Sequence, residues 1–157
     1  MEQTPDIAII QERMKPGQIT LDGFLGTDTR SLGEILAEDD AEVRRMGLSH
    51  EAIALRMRDL EKAGREGLGE SVSVPPHFDV RTDVPRGHIT CPFGHPGLCR
   101  KTNTLVRNLK IVREITFSDL NIHMIAEHGF YEGRGAAFRV NPRDLVEILE
   151  VKAIAEG

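Results

Sequence analysis

Apolar residues recur at helical spacing in the first half of the chain. Leu32, Ile35, Leu36 and later Val43 and Met46 fall on one side of a helix with 3.6 residues per turn. Ser31 followed three residues later by Glu34 is a capping box, which predicts that this helix begins there. Gly47 predicts its end.

A second helix is predicted directly after this glycine. Ser49 is suited to cap its first turn, and Ile53, Met57, Leu60 and Gly64 follow at helical spacing. The charged residues between them would face water. The sequence therefore predicts a helical hairpin over residues 31–66.

From Gly67 onward the period changes to an alternation of apolar and polar residues. The short runs SVSV, FDV, HITCPF, TLVRN and KIVREITF are typical of strands, and proline pairs and glycines separate them. The last two runs predict a hairpin that turns near Asn108. Together these runs predict a small, mostly antiparallel sheet.

Two further helices are predicted near the end of the chain. Ser118 is suited to cap a helix that continues to about His128, and Gly129 lies where a left-handed residue would end it. Asn141 and Pro142 then predict the start of a C-terminal helix, because proline is favoured at the first helical position.

The whole pattern predicts an α+β protein. Residues 1–30, which are rich in Gly, Asp and Thr around LDGFLGTDTRS, are expected to form an extended arm. Residues 31–66 form the helical hairpin, and residues 67–157 form an α+β metal-binding domain. A chain of 157 residues is also short enough to be one domain throughout.

Charge is unevenly distributed along the chain. Residues 1–75 contain 15 acidic and 9 basic residues, whereas residues 76–157 contain 10 and 11, and the net charge is -5. The acidic half argues against wholesale coating of nucleic acid, and the basic stretch from Arg100 to Arg113 is expected to be a solvated face. The N-terminus has an apolar run of only four residues, so we expect no membrane segment and a cytoplasmic location.

Two cysteines and two histidines are the sharpest chemical signal. Cys91 and Cys99 lie in CPFGHPGLC, and His123 and His128 lie in SDLNIHMIAEHG. In a reducing compartment such a set indicates a metal site before it indicates a disulfide. Two thiolates and two imidazoles are ligands that Zn²⁺ prefers in closed tetrahedral sites. His95 competes with Cys99 for the fourth position.

The helical positions of the two histidines constrain this hypothesis. At about 100° per residue, His123 and His128 point about 140° apart on an ideal helix. We therefore expect His128 to lie at a loosened helix end, which Gly129 would provide.

The segment Leu120-x-x-His123-x4-His128 resembles the helical half of a classical zinc finger, in which a leucine precedes a histidine pair. The cysteine half differs, because seven residues separate Cys91 from Cys99 and 23 separate Cys99 from His123. The capped helix and its Glu-His-Gly turn also resemble a family of uncharacterised small bacterial proteins of unknown function. The zinc-finger resemblance implies a zinc site.

The sequence thus predicts a cytoplasmic zinc-binding protein that acts through interactions with an unknown protein partner or as a homo-oligomer. A metal-dependent hydrolase with an open zinc site is one alternative, and Glu127 would be its general base. A nucleic-acid-binding regulator is another, with Arg58, Lys62 and Arg65 on one face of the second helix.

Overall fold

A computed structural model of the chain describes residues 5–94 and 97–154. These residues contain five helices and six strands, which confirms the predicted α+β class. The helices are α1 (Pro5–Arg13), α2 (Leu32–Arg45), α3 (His50–Arg65), α4 (Asp119–His128) and α5 (Pro142–Leu149). The strands are β1 (Val72–Val74), β2 (Phe78–Asp83), β3 (His88–Thr90), β4 (Leu98–Arg100), β5 (Asn103–Asn108) and β6 (Arg113–Ser118).

The predicted helical hairpin is present as α2 and α3. The Ser31 Oγ accepts a hydrogen bond from the Glu34 N–H at 3.2 Å, and the Ser49 Oγ accepts one from the Ala52 N–H at 3.1 Å. Each serine thereby satisfies an amide that the first helical turn leaves without an intrahelical acceptor. Gly47, at φ 72°, reverses the chain between the two helices.

Four strands form an antiparallel sheet in the order β1-β2-β5-β6. In this register Val80 pairs with Val106, which pairs with Ile115 on its other side. Helices α3 and α5 cover one face of the sheet. Gly64 permits the close approach of α3, because an added Cβ would lie 2.2 Å from the Thr82 hydroxyl oxygen.

Between these helices and the sheet lies the larger of two apolar clusters, which we call the sheet core. Its buried residues are Val43, Ala52, Ile53, Ala54, Met57, Leu60, Phe78, Val80, Val106, Phe117, Ile122, Ile125, Tyr131, Val140, Leu145, Ile148, Leu149 and Val151. Residues from both predicted domains, 31–66 and 67–157, contribute to it. The division into separate domains at residue 67 therefore stays a prediction.

A two-stranded ribbon, β3 and β4, leaves the sheet between β2 and β5. Asp83 and Asn103 are paired neighbours in the sheet, so the chain departs at one and returns at the other. The ribbon packs on α4 through a second cluster, the ribbon core, which consists of Met14, Phe24, Leu32, Ile35, Cys91, Leu120, Met124 and Phe130. Helix α4 contributes to both cores and so joins the ribbon to the sheet.

The predicted extended arm contains helix α1. Ile7, Ile10 and Met14 lie at helical spacing and pack on the ribbon core, with Met14 fully buried. A four-residue apolar run carries too weak a periodic signal to outweigh the glycines that follow it, so contact with the rest of the protein determines this helix. The Phe24 N–H donates to the Met14 carbonyl at 2.9 Å and turns the chain back over α1.

Candidate metal centre

Cys91 lies in a tight turn that follows β3. The Gly94 N–H donates to the Cys91 carbonyl at 3.1 Å, and Gly94 adopts φ 80°, a conformation that favours glycine. From α1, the Arg13 guanidinium donates to the Pro92 carbonyl at 3.5 Å. The turn places the Cys91 thiol in the ribbon core, where the residue is 5% exposed.

His123 and His128 are presented by α4, whose two ends are well defined. Ser118 and Asn121 form a reciprocal capping box at its start. At its end the Gly129 N–H donates to the Ile125 carbonyl at 3.1 Å, with Gly129 left-handed at φ 62°. The two histidine rings are 5.6 Å apart between centroids and nearly perpendicular. The helix therefore does not need to fray for the rings to converge, because His128 is its last residue.

Cys91, His123 and His128 form a group that could hold a metal ion. One ligand atom from each residue lies within 4.8 Å of the other two. The Nε2 atoms of both histidines are buried. Ligand atoms of a tetrahedral zinc ion lie roughly 3.3–3.8 Å apart, so shifts of about 1 Å would bring these three into range. The three donors could therefore hold a metal ion after a small adjustment.

Phe93 holds the ring of His128 from the ribbon side. Their rings stack at 4.1 Å between centroids and 8° between planes, and Phe93 also meets the edge of Phe130 at 5.5 Å. A stacked neighbour limits the orientations that the imidazole can adopt. Sequence reasoning did not identify this residue, although its place in the turn two residues after Cys91 was a usable signal.

Cys99 lies across the ribbon from Ile89 and is not in the group of three. The residue is half-buried among the apolar residues that pack on the ribbon core, and it forms no disulfide with Cys91. Burial raises the pKa of the Cys99 thiol, and the nearby Cys91 and Asp119 raise it further. His95, the predicted alternative to Cys99, lies outside the described residues. Both fourth-ligand assignments stay predictions.

Asp119, which lies near Cys99, is one of two linked carboxyl groups. The Arg65 guanidinium binds Glu61 at 2.5 Å and Asp119 at 3.6 Å, so it links α3 to the start of α4. Burial and the hydrogen bond with Asp119 raise the pKa of Glu61 to about 7. Arg65 offsets the negative charge of these two carboxyl groups.

Glu127, the predicted general base of the hydrolase alternative, is exposed on α4. It is not in the group of three, although it is adjacent to His128 in the sequence. The basic stretch from Arg100 to Arg113, which is expected to be a solvated face, is partly neutralised, since Arg107 pairs with Glu114 at 3.0 Å. Arg113 pairs with Asp144 at 2.9 Å and with Glu147 at 2.8 Å.

Two polar arrangements that involve the residues directly after α4 were not predicted from the sequence. The His50 ring lies between the Tyr131 hydroxyl, at 2.7 Å from Nδ1, and Asp40, at 3.0 Å from Nε2. Glu132 is buried at 4% exposure in a left-handed backbone conformation. Neither belongs to a recognisable sequence motif, and each depends on contacts between residues far apart in the chain.

None of the described helices is long and apolar enough to cross a membrane. No protein-family model, no curated protein and no solved structure significantly matches this chain.

Proposed function

We propose that this protein binds one zinc ion through Cys91, Cys99, His123 and His128, and that the ion has a structural role. The observation that carries the proposal is the convergence of Cys91, His123 and His128, which come from two separate elements. The zinc ion would supply bonds that tie the ribbon to the end of α4. Its binding free energy would then be part of the folding free energy.

The fourth position is assigned to Cys99 because of its place on the ribbon. Leu98 and Arg100 on either side are exposed, so Cys99 points inward like its partner Ile89. Cys91 belongs to the ribbon core, and Ile89 and Cys99 both pack against it. A closed site of four protein ligands leaves no coordination position for water, which is why we propose a structural ion and no hydrolase. The exposed position of Glu127 supports the same choice.

Thiolate ligands are kept reduced in the cytoplasm, and we place the protein there. It would work through contacts with another protein. In support, three apolar side chains are exposed together in the turn between β5 and β6: Leu109 at 60%, Ile111 at 41% and Val112 at 86%. Sedimentation tests whether the partner is a second copy. If the protein is a dimer and Val112→Glu dissociates it, the partner is a second copy of this chain. If the protein is a monomer, the partner is a different protein.

Elemental analysis of the purified, dialysed protein tests the zinc site. We expect about one zinc per chain, and strongly reduced zinc in Cys91→Ala and His128→Ala. His88→Ala is the matched control, because His88 is an exposed histidine on β3 of the same ribbon. Folded protein that contains no zinc, or equal zinc in all three variants, would contradict the proposal.

A further inference from the structure

A second site candidate is a cavity of about 300 Å³ beside the ribbon. The N-terminal segment, both ribbon strands, the start of α4 and the loop after it all contribute to its walls. Its apolar lining residues are Leu21, Phe24, Pro85, Ile89, Leu120, Ala137 and Phe138. None of the proposed zinc ligands lines it. Its volume is at the lower end of the range for small-molecule pockets.

One carboxyl group lies in the wall of this cavity. Glu132 lines it and is buried, and its Oε2 accepts a hydrogen bond from the Asn121 Nδ2 at 2.9 Å. Arg139 is near, but its guanidinium donates to the Glu132 main-chain carbonyl at 2.7 Å and forms its ion pair with Asp39. Among the described residues, no Lys, Arg or His nitrogen forms an ion pair with the Glu132 carboxylate. The cavity therefore presents a buried acid that has no cation of its own.

The backbone holds Glu132 in an unusual conformation. Its φ of 68° lies in the left-handed region, which is costly for a residue with a Cβ. The next residue, Gly133, packs so closely on the backbone of Leu25 that an added Cβ would lie 2.3 Å from the Leu25 carbonyl oxygen. Strained residues that carry a functional group cluster at binding sites. Burial also raises the pKa of Glu132 to about 7, although Asn121 and Arg139 lower it.

Two cations stand among the lining residues. Arg100 and Lys101 follow one another at the end of β4, and both are exposed. The other charged lining residue is Asp22, which is also exposed. A buried acid, apolar walls and an exposed basic pair thus meet in one cavity. A ligand complementary to these groups carries a positive charge, an apolar body and a negative charge.

We propose that this cavity binds a small zwitterion in which an apolar body separates a protonated amine from an anionic group. The amine pairs with the Glu132 carboxylate, and the anionic group lies beside Arg100 and Lys101. The apolar body contacts Phe24, Ile89 and Phe138. The amine supplies the ion pair that no described Lys, Arg or His forms with the Glu132 carboxylate.

Three matched probes test this proposal: ε-aminocaproate, hexylamine and caproate. They share one apolar chain and differ in the charged groups at its ends. Each is titrated into the full-length protein, and binding is followed by amide chemical shifts. We expect saturable shifts at the cavity residues, with ε-aminocaproate binding tightest, hexylamine more weakly and caproate not detectably.

Two variants separate the two ends of the ligand. Glu132→Gln is expected to weaken binding of both amines at least about tenfold, since it removes one ion pair. Arg100→Gln, at an exposed site that poses no folding problem, is expected to weaken ε-aminocaproate and leave hexylamine unchanged. Glu127→Gln, an exposed glutamate outside the cavity, is the control and should change neither.

Several results would overturn the proposal. They are the absence of saturable shifts with either amine, unchanged hexylamine binding in Glu132→Gln, and caproate binding tighter than hexylamine. The last result would show that Glu132 acts in its protonated form. If Glu132→Gln does not fold, the Arg100→Gln variant decides. The proposal would be overturned if Arg100→Gln weakened the binding of ε-aminocaproate and hexylamine equally, or weakened the binding of neither.

Discussion

The sheet core and the ribbon core are stabilised in different ways. Among the described residues, the sheet core has 18 buried members between helices and a four-stranded sheet, whereas the ribbon core has eight. The strands of the ribbon are three residues each. A two-stranded ribbon of this size is marginal in water, whereas a four-stranded sheet covered by helices can be stable by apolar burial alone.

The candidate metal ligands lie in the weaker region. Cys91 belongs to the ribbon core itself, and the His128 ring stacks on Phe93, which packs against that core. Where apolar burial is small, metal–ligand bonds can supply the missing stability. Apolar packing therefore accounts for the sheet, and the proposed metal clamp would stabilise the ribbon.

The largest effect on stability is expected from truncation of a buried side chain in the sheet core. Phe117 is fully buried on β6, and Phe117→Ala should lower the free energy of unfolding by about 3–5 kcal/mol. The loss should be the same with and without a zinc chelator, because Phe117 is not part of the ribbon core. Urea unfolding measures both values. If the loss of unfolding free energy differed strongly with and without the chelator, the sheet core and the ribbon core would not be stabilised independently.

The next largest effect on stability is expected from the loss of a proposed zinc ligand. Cys91→Ala or His123→Ala should lower the free energy of unfolding by about 2–5 kcal/mol, because either breaks the clamp between ribbon and α4. A chelator should lower wild-type stability to a similar level and have no further effect on the variants. His88→Ala is again the control. His50→Ala is unsuitable, since His50 contacts both Tyr131 and Asp40.

If chelation left the wild type as stable as before, the clamp would be absent. Hydrogen exchange localises the effect: amides of β3 and β4 should exchange faster without zinc, while those of β2 and β5 keep their protection. Uniform loss of protection over all four strands would contradict the division into two regions.

A smaller, pH-dependent effect is expected at Glu132. Its pKa is raised from 4.5 to about 7, so the folded state keeps a proton that the unfolded chain releases in this window. Stability therefore falls as pH rises from 4.5 to 7, and the full cost of the buried charge, roughly 3 kcal/mol at most, is present above pH 7. Glu132→Gln should stabilise the protein by about 1–3 kcal/mol near pH 8 and by almost nothing near pH 4, below the pKa of the unfolded chain.

Denaturant unfolding at these two pH values measures the difference. Glu127→Gln, at an exposed position, should give no such pH dependence. An equal effect of Glu132→Gln at both pH values would show that the carboxyl is not buried in its charged form.

The smallest expected effect concerns the stacked ring beside His128. Phe93→Leu keeps an apolar side chain but removes the planar stack, and it should weaken zinc affinity by roughly tenfold with little change in apo stability. Competition with a chromophoric chelator measures the affinity. An unchanged affinity would show that the stack does not orient the histidine.

Local signals in the sequence were sufficient for most elements of the fold. The serine caps at Ser31, Ser49 and Ser118 and the glycine at Gly129 mark helix ends through bonds between near neighbours, and all are in the structure. Helix α1 and strand β4 were missed, because each is short and depends on packing against distant residues. Local propensity carries little information about such elements.

The candidate site shows the same limit. Residue types predicted Cys91, Cys99, His123 and His128 as one group. The structure brings Cys91, His123 and His128 together, and Cys99 stays a prediction. On an ideal helical wheel the i, i+5 spacing predicts a frayed helix end, but the wheel ignores the freedom of the side chains at a helix end. The buried acid at Glu132 could not be predicted, since its burial depends on Asn121, Phe138 and the N-terminal segment around Phe24.

Zinc-edge X-ray absorption of the purified protein, with the metal content of the same sample, tests the central claim most directly. We expect about one zinc per chain with two sulfur and two nitrogen neighbours, from Cys91, Cys99, His123 and His128. An oxygen neighbour in place of the second sulfur would contradict the closed site. A folded protein that takes up no zinc would contradict the clamp itself.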